Sequence, residues 1–338
     1  MSLSFDLNLS GGLNRPPQKP YLEEIQDVTV IGAGPAGLSA AIYAKRKGLK
    51  TLVIATRVGG QVLDTSAIEN YPGFSSISGE ELAKQFRNHA GSLGIPMEQQ
   101  KEVAGITGGE SVKTVSLKDG SKIRSRSVII ATGSHHKQLG VPGEGRLKGR
   151  GVAYCAICDG PLFQDRTVIV AGGGNAAVEA VIDLSKIAQK VILVHRSQLR
   201  ADDILVKRMN QLNNVEVHLE TPIQEILGDK MVEGVRVIQK ATGKENVIKG
   251  DGVFVEIGYQ SNTKVFEGFL DMNDKNELIV DNQLQTSIPG VFAAGDVIEG
   301  PYKQVVISAG DGAKAALAAN DYINHIQSGE ENKNANIN

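Results

Sequence analysis

Four short apolar runs in this chain each end at glycine. They are Val28 to Ile31 in "DVTVIGAGPAG", the run in "SVIIATGS" closed by Thr132-Gly133, Thr167 to Ala171 in "RTVIVAGGGNAA", and the run in "PGVFAAGD" ending at Gly295-Asp296. Runs of this length bounded by turn residues read as strands. After the first comes a small-residue segment of helical character; after the third come an amphipathic helix and a further strand, Val191 to Val194. Strand, glycine turn and helix occur in that order twice, which predicts an α/β fold. For "SVIIATGS" and "PGVFAAGD" taken alone, a plain strand followed by a turn is an equal reading.

The two strand–turn–helix units share a spacing, Gly32-x-Gly34-x-x-Gly37 and Gly172-x-Gly174-x-x-Ala177. In a dinucleotide-binding unit the first glycine permits the turn and the second lets a pyrophosphate approach the backbone. The third small residue lets helix and strand pack closely, and the helix N-terminus offers free N–H groups to the phosphates. Taken singly such a motif is a weak signal, since some matches are ordinary tight turns. Two, each in the required context, predict that the chain binds two dinucleotides.

Composition narrows the class. The 338 residues suffice for about two domains. A net charge of −2 gives no electrostatic case for nucleic acid or an anionic membrane surface. No apolar run approaches the roughly 20 residues that span a bilayer. The N-terminus has neither a basic stretch nor a long apolar one, so no signal peptide is expected, and residues 1–20 read as a mobile lead-in. The polar tail from 328 to 338 reads as unstructured. The 39 glycines exceed the average share of about 7%, as expected where backbone approaches a ligand more than once.

The only two cysteines, Cys155 and Cys158, stand in "AYCAICDGPL". A disulfide closing so short a loop would contribute only about 2 kcal/mol as a structural staple. Zinc needs four ligands, and the nearest imidazoles, His135 and His136, lie some twenty residues upstream in a segment that reads as solvated. A redox couple fits best, because a CxxC in a chain without a secretion signal points to the reducing cytoplasm. The spacing also lets one sulfur resolve the mixed disulfide formed by the other.

With these pieces in order, the chain resembles the low-molecular-weight, bacterial-type thioredoxin reductases of the two-domain flavin disulfide reductase superfamily. The likeness runs from about Asp27 to about Ala319 through "GAGPAG", "GGQ" at Gly59 to Gln61, "ENYPG", "IATG", "CAICDG", "GGGNAAVEA" and "PGVFAAGD". It implies two Rossmann-like domains, the second inserted into the first. An FAD-binding domain would comprise 1–135 and 263–338. An NAD(P)-binding domain carrying the CxxC would comprise 136–262, with joints at "TGSHHKQ" and "IGYQSNT". It further implies a homodimer that passes electrons from NADPH or NADH through FAD and the dithiol to thioredoxin or a thioredoxin-like protein, with the smaller domain rotating between two states. By the same resemblance Cys158 faces the flavin, Cys155 attacks the partner disulfide, and Asp159 supplies a proton to the departing thiolate; without it, Asp159 is a turn residue before Gly160. FAD would be held by Gly32, Gly34, Gly37, Gly60, Gln61, Asn70, Thr132, Gly133, Asp296 and Gln304. The pyridine nucleotide would be held by Gly172, Gly174, Asn175, Ala177, Arg196 and Arg200.

Three departures from the pattern matter. Ala55 ends the strand "TLVIA", where an acid often grips the adenosine ribose. "LVHRSQLRADD" keeps Arg196, but Ser197 replaces a second arginine and the segment is one residue short before Arg200. One lost charge-assisted hydrogen bond, about 1.5–3 kcal/mol, weakens preference for a 2′-phosphate by about ten- to a hundredfold and leaves NADPH and NADH both open. Pro161-Leu162-Phe163 replaces the aromatic pair that often docks thioredoxin, although Arg150 matches a docking arginine. Other readings are a related enzyme with a ferredoxin or deazaflavin donor or a small dithiol substrate, and a nicotinamide–ferredoxin flavoprotein, whose subgroup lacks a CxxC.

Overall fold

A computed structural model describes residues 23–335 apart from 66 and 110; the lead-in at 1–20 lies outside the described residues. Seven strands form the first sheet, in the order Met97–Gln99, Thr51–Val58, Gln26–Ala33, Lys122–Ile130, Lys113–Leu117 and Val103–Gly108, with Val291–Ala293 also paired to Lys122–Ile130. Its centre is parallel, and the side chains of Val28, Val30, Val53 and Ile129 are fully buried, as expected for strands covered on both faces.

The helix Pro35–Arg46 leaves the first glycine turn with proline at its start, where the missing N–H costs nothing. Its small residues admit the C-terminal helix, Val305–Ala335, at close range: a Cβ on Gly312 would lie 2.0 Å from the Ala36 carbonyl oxygen. This contact brings the C-terminal helix, and Asp296 before it, to the glycine turn. The helix also runs through the tail that reads as unstructured, as far as Ala335. Extending a helix already nucleated by packing costs little, so a polar stretch can continue it.

The second sheet is parallel throughout, in the order Val215–His218, Lys190–Val194, Thr167–Ala171, Gly252–Val255 and Val152–Ala153. Ile223–Leu227, Gly234–Ile238 and Glu245–Lys249 form an antiparallel sheet beside it, sharing its core through Ile226, Val235 and Val253. The first sheet takes strands from both sides of the second in sequence, so the fold is two Rossmann-like units, one inserted into the other.

Ser134–His136 and Tyr259–Ser261, from the two segments read as joints, pair as an antiparallel ladder where the chain passes between the units. Asn262 fastens this crossing. Its side chain donates to the Thr132 carbonyl (2.9 Å), and its carbonyl accepts from the Thr132 hydroxyl (2.9 Å). His135 is exposed, as the solvated reading expects, but His136 is not: its ring packs between Tyr154 and Tyr259, with centroids 5.2 and 4.5 Å away. Burial first, with the nearby Lys148 charge, pushes its pKa down to about 4, so it is neutral at ordinary pH. Among the described residues no helix is long and apolar enough to cross a membrane.

Candidate active site

The edge strand Val152–Ala153 delivers the chain to the cysteines. Cys155 caps a single helical turn, Ala156–Asp159, its Sγ accepting from the Cys158 backbone N–H at 3.2 Å. The two sulfurs are bonded to each other, with Cα atoms 5.3 Å apart. Ile157, between them, is 63% exposed, so the turn presents an apolar tip to solvent. Behind it Phe163 packs edge-on against Phe254, which places Phe163 in the core rather than on a docking face, while Leu162 remains exposed.

Burial pushes the Asp159 carboxyl up to about 6, so it holds a proton far closer to neutrality than an ordinary aspartate. A second carboxyl, not foreseen from the sequence, belongs to the same place. Glu256 leaves the end of the strand Gly252–Val255, and its Oε1 accepts from the Ala156 N–H at 3.2 Å. Burial, reinforced by the neighbouring Asp159 charge and opposed by that hydrogen bond, raises its pKa to about 7. The available signal was an acid immediately after "GVFV".

At the first fingerprint the glycines have separate duties. Gly32 has φ +110, and a Cβ there would lie 2.1 Å from the Ala131 carbonyl oxygen; a Cβ on Gly37 would lie 1.9 Å from the Gly32 oxygen. Gly34 is nearly open, its nearest would-be neighbour being the Gly60 Cα at 3.8 Å. Two glycines thus fix the turn and the third leaves room for a ligand. Asp296 faces this turn; burial raises its pKa, and its Oδ1 accepts from the Ser308 hydroxyl at 2.9 Å. The Gln61 amide donates to the Ser134 carbonyl, tying the loop after Gly59 to the crossing. Asn70 and Gln304, 234 residues apart, hydrogen-bond to each other at 3.2 Å. Lys303, beside Gln304, forms a nearly buried ion pair with Glu277 (2.9 Å) that holds the loop after Asp296.

The second fingerprint repeats the arrangement. A Cβ on Gly172 would lie 2.3 Å from the Glu256 carbonyl oxygen and 2.6 Å from the Ala177 Cβ, whereas Gly174 has open space. Asn175 and Asp202 bind one another side chain to side chain and side chain to backbone, both at 2.9 Å, fixing the loop that carries Arg200. Arg196 and Arg200 are exposed at the cavity rim. His195 lies beneath them, bonded to the Ser197 hydroxyl at 3.1 Å.

One continuous cavity of about 2420 Å³ is lined by Gly32, Gly34, Gly60, Gln61, Thr132, Gly133 and Asp296. The same cavity is lined by Gly172, Gly174, Asn175, Arg196 and Arg200, and by Cys155, Cys158, Asp159 and Glu256. That exceeds the roughly 300–1,000 Å³ of a single-ligand pocket and suits two extended dinucleotides with the dithiol between. Gly37 and Ala177 are outside the lining and serve helix packing; Asn70 and Gln304 are also outside it.

A family model described as pyridine nucleotide-disulphide oxidoreductase matches residues 26–312. The chain belongs to this family. Membership makes it an oxidoreductase and implies a flavin and a pyridine nucleotide, and the open faces of Gly34 and Gly174 fit two such groups. The F component of alkyl hydroperoxide reductase from Pseudomonas putida is 45% identical over 313 residues, covering 91% of this chain and 60% of that protein. A protein of Bacillus subtilis named NADH dehydrogenase is 43% identical over 298 residues, covering 88% of this chain and 58% of its own. The chain therefore spans about three-fifths of the length of these relatives. Thioredoxin reductase from Streptococcus pyogenes superposes with a TM-score of 0.85 at 37% identity, covering 89% of this chain and 99% of that structure.

Proposed function

We propose that this family member is an FAD-dependent disulfide reductase that takes electrons from NADPH or NADH and delivers them through Cys155–Cys158 to thioredoxin or a thioredoxin-like protein. The observation that carries the reading is the bonded cysteine pair on the wall of the cavity shared by both glycine fingerprints. The bound flavin supplies the two-electron link between nicotinamide and disulfide. Gly32, Gly34 and Gly60 accommodate its pyrophosphate, with Gln61, Thr132, Gly133 and Asp296 around the rest, while the Asn70–Gln304 hydrogen bond, outside the cavity lining, ties the loop after Asp296 to the first segment. Gly172, Gly174 and Asn175 accommodate the pyridine nucleotide, and Arg196 and Arg200 meet a 2′-phosphate where present. No acid stands at His195 to select the free ribose hydroxyl, so both nucleotides are accepted. Asp159 donates a proton to the thiolate that leaves when the S–S bond opens. The chain acts as a homodimer, which light scattering checks.

In the test, the purified protein is mixed anaerobically with each nucleotide, then with oxidised thioredoxin. The flavin band bleaches with NADPH or NADH, and Cys155→Ser and Cys158→Ser keep the flavin while losing thioredoxin reduction by at least about a thousandfold. Undiminished thioredoxin reduction in either variant refutes the reading.

A second reading rests on the 45% identity to the alkyl hydroperoxide reductase component of Pseudomonas putida. The same electrons would then supply a peroxide-reducing partner, with NADH as donor. Faster turnover with NADH and such a partner than with NADPH and thioredoxin would favour it.

A further inference from the structure

Beside the redox turn stands one acid that the proposed chemistry does not yet use. Glu256 reaches from the end of the central strand Gly252–Val255 to the backbone N–H of Ala156, the residue bonded to Cys155. It lines the same cavity as both cysteines and Asp159. In the other unit the matching place is taken by Ala131. Ala131 N–H donates to the Ile31 carbonyl just as Glu256 N–H donates to the Ala171 carbonyl, at 2.7 and 2.8 Å. Each also presses its own carbonyl on the first glycine of its fingerprint. Backbone packing in that slot is therefore satisfied by an alanine, and the carboxyl of Glu256 is not needed for it.

We propose that Glu256 is the second acid of the redox centre: with Asp159 it passes to the cysteines the protons they require, and its charge sets their proton affinity. The inference rests on the reductase reading above. Opening the S–S bond would place two electrons from the reduced flavin on sulfur as two thiolates, while the proton that the flavin gives up on oxidation would pass to water in the cavity; two protons convert the thiolates to thiols. Asp159 supplies one and Glu256 the other, and water entering the cavity restores both. Glu256 interacts with Asp159 from the redox turn and with Tyr259 from the crossing strand, which also feels Asp296, and it shares the cavity wall with both sulfurs. Among the described residues no lysine or arginine forms an ion pair with Glu256 or Asp159. Burial raises the proton affinity of both carboxyls toward the neutral range, where a store is useful. Once ionised, Glu256 opposes a second negative charge on sulfur.

The test reads thiol chemistry directly, with neither nucleotide nor partner. The intact flavoprotein is reduced with excess dithiothreitol and desalted anaerobically, and its iodoacetamide alkylation is followed by mass from about pH 5 to 9. Thiolate, not thiol, reacts. Glu256→Gln keeps an oxygen to accept from the Ala156 N–H but loses the charge, so its profile moves to lower pH and alkylation at about pH 7.5 accelerates about three- to tenfold. Glu256→Asp, which keeps a carboxylate, stays near the parent. Coincident profiles for Glu256→Gln and the parent overturn the proposal. So does a shift in Glu256→Ala that is absent in Glu256→Gln, since that marks the hydrogen bond alone. Should the parent fail to reduce thioredoxin with either nucleotide while the alkylation shift persists, the reductase reading falls and the coupling of Glu256 to the sulfurs stands.

Discussion

The two nucleotide-binding units build the same turn from different constraints. At Gly32 the backbone has φ +110 and the Ala131 oxygen leaves no room for a side chain; at Gly172 φ is ordinary and the Glu256 oxygen and Ala177 Cβ occupy the space. The middle glycines, Gly34 and Gly174, are both comparatively free. The first glycine of each motif, and Gly37 as well in the first, is thus demanded by the fold, and the middle one is kept open for a ligand. The units also differ at the residue after the central strand, apolar Ala131 in one and acidic Glu256 in the other, and the acid is in the unit that carries the disulfide.

The sharpest way to break this comparison is at the first glycines. Gly32→Ala combines positive φ with a backbone clash and should destabilise the protein by about 2–4 kcal/mol, with loss of flavin on purification. Gly172→Ala meets a clash without the φ strain and should cost less, with flavin retained; equal losses in thermal unfolding would show that φ adds nothing. Next is Gly174→Val, whose Cβ meets no neighbour in the protein. Its unfolding temperature should stay with the parent while KM for the nucleotide rises about tenfold or more and the flavin spectrum is unchanged. A fall in stability would mean that the open face is structural after all.

The smallest effect is the pH dependence of Glu256. Its folded pKa, about 7, lies above the ordinary 4.5, so the folded state binds that proton more tightly than the unfolded chain. The associated stability is present below about pH 4.5 and lost as pH rises through about 7. Glu256→Gln has no charge to bury. It should melt with the parent near pH 4 and about 2–4 °C above it near pH 8, by calorimetry. A constant gap across pH would refute the cause.

Much of this is legible in the chain. Apolar runs closed by glycine mark the central strands, and the two spacings mark both turns, because these depend on backbone sterics within a few residues. Cys155 and Cys158 are readable as a couple for the same reason. The tail is not: its polarity suggests no structure, yet the helix begun at Val305 extends to Ala335. Nor is the burial of His136, because Tyr154 and Tyr259, the rings that cover it, are distant in sequence. Glu256 is about a hundred residues from Cys155 and reaches it only because Gly252–Val255 enters the sheet between Thr167–Ala171 and Val152–Ala153.

The sequence by itself determined where strands end, which turns can open to a phosphate, and that two sulfurs lie within bonding reach. Strand order decided the rest: that both turns and the disulfide share one cavity, that Asn262 straps the crossing, and that a second carboxyl stands beside Asp159. The division has a physical cause. Steric limits on the backbone act between neighbours along the chain, whereas burial and charge act between neighbours in space.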